Sequence, residues 1–312
     1  MSLPLDLAAH LWLSEPDEQS LERARQSGLA TDASADDLAG AYTALFVLNV
    51  YPYGSVFTDS FAGLNGTDSL AWARRLEESD FRPPELSSVG APDHLGLCLK
   101  YVAFLEDHGA DSASALKSLL SWGPVCALAA ERDPLAHEFY RGLARSTRDA
   151  LLERAAAGGA DAPVFDPRDG ALEGSGEDGE LRLADIVAYF LAPVRCGCFL
   201  SRSTLARIGR RVSLPLPFGG RFETARGLFE AAGESGRVEA LLDQIGGQID
   251  AWDRGYGRTV EAWPAWGPWA EAWSARLSRS RNTLADLRAN VRDFSPSLPS
   301  RGADGRRAGE EA

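Results

Sequence analysis

HLGLCLKYVAFLEDHG, residues 94–109, carries apolar side chains in nearly every direction around a helix: Leu95, Leu97, Cys98, Leu99, Tyr101, Val102, Phe104 and Leu105. A helix that is apolar all round is buried on most sides, so this stretch predicts a central helix, with Gly109 as its C-terminal stop. Outward from it the pattern stays helical, and no run alternates as a strand would. The predicted fold class is therefore all-α. Before the central segment, helices are expected at 5–13, 18–27, 35–50 and 68–78, with the segment's own helix over 92–106. Ser34 and Asp37 form a capping box for the third of these, and Pro52 and Gly54 stop it. Further helices are expected at 112–130 and 134–157, then at 183–194, 203–211, 222–232, 238–253 and 266–291.

Composition sets the outer bounds. The 312 residues suffice for one large domain or two modest ones. Thirty-two basic against 45 acidic side chains leave a net charge of −13, which argues against nucleic acid or anionic lipid as the main partner. The longest apolar runs, 44–50 and 186–194, fall short of the ~18 residues of a membrane span, and no signal peptide is evident. The arginine pairs at Arg74-Arg75, Arg210-Arg211 and Arg306-Arg307 lie far from the N-terminus, so the chain is not expected to be a twin-arginine export substrate itself. Four scattered cysteines do not make a disulfide framework, and a reducing cytoplasm is the expected compartment.

Between residues 158 and 180 the chain turns rich in Gly, Ala and acids, which reads as a linker or loop. The expected organisation is a first helical domain over 1–157, that linker, a second helical block over 181–293 and a disordered tail over 294–312.

No phosphate loop, GxSxG elbow or HExxH motif is present, so no catalytic residue is assigned, and the chain reads as a non-enzyme. Cys196-Gly-Cys198 is an incomplete metal site and reads as structural; no metal or other cofactor is assigned. The basic stretch 201–215 invites a helix-turn-helix reading, but the Pro- and Gly-rich LPLPFGG after it favours an ordinary bundle helix. Trp263, Trp266, Trp269 and Trp273 recur at helical spacing and read as core or as a seam between the blocks. Asp93 suits a helix N-terminus, and His94 beside it could hold a proton near neutral pH or donate to a carbonyl; taken alone, the pair reads as a helix cap beside a satisfied histidine.

Five motifs occur in order: YTALF at 42–46, YPYGSVFTD at 51–59, PDHLG at 92–96, SLLSWGPV at 118–125 and HEFYRGLA at 137–144. Together they resemble the TorD/DmsD family of cytoplasmic chaperones for molybdenum-containing redox enzymes, related in role to the NarJ group. The glycine and serine of YPYGSV place the resemblance closer to the DmsD branch. It runs from about residue 41 to about 152, and the later block has no counterpart. Members often carry a glutamate shortly before the Asp-His pair, where this chain has Gly90, Ala91 and Pro92.

The resemblance implies a TorD-like helical bundle with an added C-terminal block and no catalysis. It implies binding of the twin-arginine leader or N-terminal region of a molybdopterin-dependent oxidoreductase catalytic subunit, holding export back until its cofactor is inserted. By matching position it implies a peptide site at Pro52, Tyr53, Gly54, Ser55, Asp93 and His94, with Trp72 in the following helix. Tyr51, Tyr53, Phe57 and Trp72 could wall an apolar groove, while Asp59 and Asp93 attract arginines. No nucleic acid and no stable membrane insertion are expected, and a homodimer or domain-swapped form stays open. The alternative is an acidic helical adaptor or transcriptional regulator acting through the second block.

Overall fold

The computed structural model describes residues 3–158 and 170–294. The expected tail and much of the linker lie outside the described residues. Among those described, the chain is all-α with no strand, and its extended contact is a bridge between Tyr53 and His94.

The first nine helices are α1 (Leu5–Leu13), α2 (Glu18–Gln26), α3 (Ala35–Tyr42), α4 (Gly54–Thr58), α5 (Thr67–Glu77), α6 (Leu95–Asp107), α7 (Ala113–Leu120), α8 (Gly123–Arg132) and α9 (Glu138–Gly158). The segment that decides the fold is α6, buried from Leu95 to Leu99 and at Tyr101 and Val102. It lies so close to α1 that a Cβ on Gly96 would stand 2.6 Å from the Leu13 side chain and 2.8 Å from the Ala9 carbonyl. Gly109 ends α6's last turn at φ +64°. On the far side of α1, Trp12 donates its indole N–H to Thr147 of α9 at 2.9 Å, and Trp12, Tyr42, Phe46 and Tyr140 pack ring against ring.

Four of the expected helices take other forms, among them the one expected over 183–194, which stops at Leu191 because Pro193 has no N–H to continue it and instead starts the short helix Pro193–Cys196. The helix expected over 35–50 keeps its Ser34/Asp37 capping box but widens into a π turn over Thr43–Val47. The helix expected over 112–130 is two, bent by 42°. Pro124 causes this, because it has no N–H to give the Leu120 carbonyl. The helix expected over 238–253 runs on to Ala262.

The second block comprises α10 (Leu183–Leu191), α11 (Pro193–Cys196), α12 (Arg202–Arg211), α13 (Arg221–Glu234), α14 (Val238–Ala262) and α15 (Gly267–Phe294). Its axis is the pair α14 and α15, with the short α11 held against α15 through Arg276 Nε to Val194 O (2.5 Å) and Ser280 Oγ to Cys196 O (2.8 Å).

One continuous apolar core includes buried residues of both blocks. At the seam, Trp266 donates to the Leu120 carbonyl that Pro124 leaves without a helical donor (3.4 Å), and Trp273 donates to Ser121 O (3.0 Å). Of the tryptophan stripe, Trp266, Trp269 and Trp273 are buried and Trp263 is half-buried. The N-terminus of α12 is fastened the same way: Ser203 N donates to Asn49 Oδ1 (2.8 Å) and Ser203 Oγ to Asp133 Oδ2 (2.7 Å). Leu205 and Ile208 of α12 are buried, and α12 packs on α13 as a bundle helix. No single helix among the described residues is long and apolar enough to cross a membrane.

Candidate functional site

The aromatic-proline motif and the Asp-His pair meet at one node. Leu95 N donates to Pro52 O (2.7 Å) and Gly54 N to Asp93 O (2.9 Å), joining the start of α4 to the start of α6. Ser55 then donates twice to Asp93 Oδ2, from its backbone N (2.7 Å) and its hydroxyl (2.6 Å). Position 54 has to be glycine, since a Cβ there would lie 1.9 Å from Asp68 Oδ2 and 2.9 Å from the Trp122 ring.

His94, rather than Asp93, caps α6: its Nδ1 accepts from Gly96 N at 3.1 Å. Burial pushes its pKa down to about 3, so near pH 7 the ring is the neutral imidazole and not the charged form. It packs edge-on against Tyr53, with centroids 4.9 Å apart, and the Tyr53 hydroxyl donates to Val89 O (2.6 Å).

Behind the node lies a buried polar group of atoms. Asp93 Oδ1, Asp68 Oδ2 and the indole nitrogens of Trp72 and Trp122 make no hydrogen bond. Burial, and then the Asp93 charge, push the Asp68 pKa up to about 7. Trp72 packs edge-on against Tyr101 under the Arg75 guanidinium, and Phe57 stacks between Trp122 and Phe199.

The nine sequence-predicted residues therefore divide by accessibility. Tyr53, Gly54, Ser55, Asp93 and His94 are brought together, with Pro52 beside them. Phe57 and Trp72 are fully buried behind, and only Tyr51 and Tyr53 keep substantial surface.

The accessible surface continues from Tyr51 onto residues that the sequence reading did not single out. A cavity of about 280 Å³ is walled by Tyr51, Phe61, Ala62, Leu191, Arg221 and Phe222. Phe61 also borders a second cavity of about 590 Å³, whose lining includes Asp59, Leu64 and Thr67. Phe61 is 92% exposed and Phe222 41%. The loop between α4 and α5 that carries Phe61 holds two non-glycine residues at left-handed φ, Ala62 at 48° and Asn65 at 63°, a strained backbone of the kind that clusters at binding sites. Asp59 Oδ2 accepts from Thr67 N (3.1 Å), closing this loop.

Arg221, in the same wall, is engaged with the protein: it donates to the Leu191 carbonyl, and its guanidinium lies 4.4 Å from the Phe199 ring centroid. Burial lowers its pKa to about 10, which leaves it charged at neutral pH. The signal that could have found this surface is the placing of Phe61 and Leu64 within a Gly- and Asn-rich turn, where an apolar side chain has no core to enter.

Cys196 and Cys198 are buried with their sulfurs 3.8 Å apart, and no group of three potential metal ligands occurs among the described residues.

Residues 13–132, under half of the chain, match the family model described as nitrate reductase delta subunit. The match spans α2 to α8 and contains the whole node, the 59–66 loop and Tyr51. No curated protein and no solved structure matches the chain.

Proposed function

We propose that this protein is a maturation chaperone that binds the twin-arginine leader or N-terminal region of a molybdopterin-dependent oxidoreductase catalytic subunit, in the cytoplasm, until the subunit's cofactor is in place and export can proceed. The observation that carries the reading is the exposed apolar surface of Tyr51, Phe61, Leu64 and Phe222, which adjoins the node within the family-matched segment.

A leader of this type presents guanidinium groups followed by an apolar stretch. The apolar stretch would lie on Phe61 and Phe222, and the arginines would face Asp59 and the negative field of a chain whose net charge is −13. Tyr51 and Tyr53 are the predicted residues placed to touch the peptide. Pro52, Gly54, Ser55, Phe57, Trp72, Asp93 and His94 hold the wall in shape. The C-terminal block enlarges the groove by contributing Leu191 and Phe222.

The test is calorimetric titration of the full chain with a synthetic twin-arginine leader peptide. Saturable binding is expected, weakened about tenfold or more by Phe61→Asp, which places a charge in the apolar wall without touching the core. Absence of binding, or equal affinity in Phe61→Asp and in Tyr51→Ala, would overturn the reading.

A further inference from the structure

A second cleft lies between the blocks, away from the groove, with a volume of about 450 Å³. Six arginines line it: Arg132 of α8, Arg141, Arg145 and Arg148 of α9, Arg207 of α12 and Arg258 of α14. Facing them are three carboxylates, Glu131, Glu138 and Asp149, which leaves a local surplus of three positive charges in a chain whose net charge is −13. Such a surplus requires a cause, because like charges gathered in a recess repel one another.

Three of the arginines are held by the protein itself. Arg145 and Arg148 pair with Glu131 at 3.1 and 2.5 Å. Arg141 donates to the carbonyls of Ala136, Glu131 and Asp133 at 3.0 to 3.2 Å.

The other three make no ion pair among the described residues. Arg132 donates to Ala251 O (2.8 Å) and lies over the Trp252 ring, both neutral partners. Arg207 reaches only Gln248 Oε1, at a long 3.4 Å, and its buried Nε makes no hydrogen bond. Arg258 is exposed at the mouth. Burial together with Arg258 holds the Arg132 pKa below its usual value, and burial with Arg211 and Arg210 does the same for Arg207. An anion in the cleft would relieve both.

We propose that this cleft is a binding site for a small diphosphate-class anion, with Arg207 and Arg258 as direct ligands beside Arg132. The guanidinium fork matches phosphate oxygens in pairs. A phosphate monoester carries about two negative charges near neutral pH, so a diphosphate group answers the surplus where a single carboxylate does not. The cleft's volume falls in the range of small-ligand sites, roughly 300–1,000 Å³. Two of the three ligands, Arg207 and Arg258, come from the second block, beyond the family-matched residues 13–132, so the site is complete only where the two blocks meet.

The experiment is calorimetric titration of the full chain with sodium pyrophosphate at fixed ionic strength, with sulfate and a poly-glutamate peptide as competing anions. Pyrophosphate should bind about tenfold or more tightly than sulfate, and Arg207→Gln/Arg258→Gln should weaken it by about tenfold or more. ATP and GTP in parallel arms distinguish a free anion from a nucleotide source, and loss of their binding in the same double variant supports the site. No saturable binding of pyrophosphate, tighter binding of poly-glutamate, or undiminished affinity in the double variant would overturn it. Should circular dichroism show the double variant misfolded, Arg258→Gln alone decides the matter. Its side chain is exposed, about threefold or greater weakening is expected, and unchanged affinity counts against the site.

Discussion

Asp68 faces the underside of Gly54 with one oxygen buried and without a partner, and its pKa is raised to about 7. The folded state therefore keeps a proton on Asp68 that the unfolded chain gives up above its ordinary value of 3.8. The folded form binds more protons between those limits, so this residue's contribution to stability falls as pH rises from about 4 to about 7 and stays low above that. The loss is at most about 4 kcal/mol, and less to the extent that solvent reaches the carboxyl.

Subtracting the urea-unfolding free energy of Asp68→Asn from that of the unsubstituted chain isolates the effect. The difference should turn steadily against the aspartate across that window, and a pH-independent difference would disprove it. His94 acts in the opposite sense. Its folded pKa, about 3, lies below the ordinary 6.5, so it withdraws stability as pH falls from about 6.5 toward 3. His94→Asn keeps a cap acceptor for Gly96 and should flatten that acid limb in the same unfolding series. Sequence made the Asp-His pair visible as polar residues at a helix start. It could not show that Asp93 Oδ2 takes both Ser55 donors across 38 residues of chain, or that burial keeps the His94 ring neutral, because both depend on tertiary packing.

At the scale of elements, most helices were legible because apolar periodicity and caps agree, as at Ser34 and Asp37. Two of the misreadings share one physical origin. Periodicity continued through 112–130 and through 35–50, so it masked a proline break in the first and a change of pitch in the second. The helix expected over 238–253 runs on through Gly255 and Gly257 to Ala262. A Cβ at Gly255 would stand 3.1 Å from Leu128, so this glycine serves a close helix approach.

The break at Pro124 carries its own prediction. Trp266→Phe keeps the ring but removes the N–H that serves the Leu120 carbonyl. It should destabilise the fold by about 1–3 kcal/mol in denaturant unfolding, the usual cost of leaving a buried acceptor unpaired. Pro124→Ala restores a backbone N–H at that position, so Trp266→Phe should cost less in that background. A double-mutant cycle with additive costs would show that the proline and the tryptophan are not coupled.

Across the whole molecule, the Gly- and acid-rich stretch separated two blocks in the sequence, whereas their dependence on each other was hidden. The seam is made by side chains that look like ordinary core when read locally: Phe57 against Phe199, Trp266 and Trp273 on the α7–α8 break, and Ser203 between Asn49 and Asp133. The groove is shared in the same way, with Tyr51 and Phe61 from the first block and Leu191 and Phe222 from the second. A chain cut after residue 158 would expose Phe57, Trp122 and the carbonyls of Leu120 and Ser121, and would lose half of the apolar wall. The full chain should therefore unfold in one cooperative transition, with far-ultraviolet and tryptophan-sensitive near-ultraviolet circular dichroism superimposing through the same midpoint. The fragment 1–158 should show no such transition and should fail to bind a leader peptide that the full chain binds. Two separated transitions in the full chain, or a fragment that folds cooperatively and binds, would mean that the second block is an appendage and that the groove belongs to the first block alone.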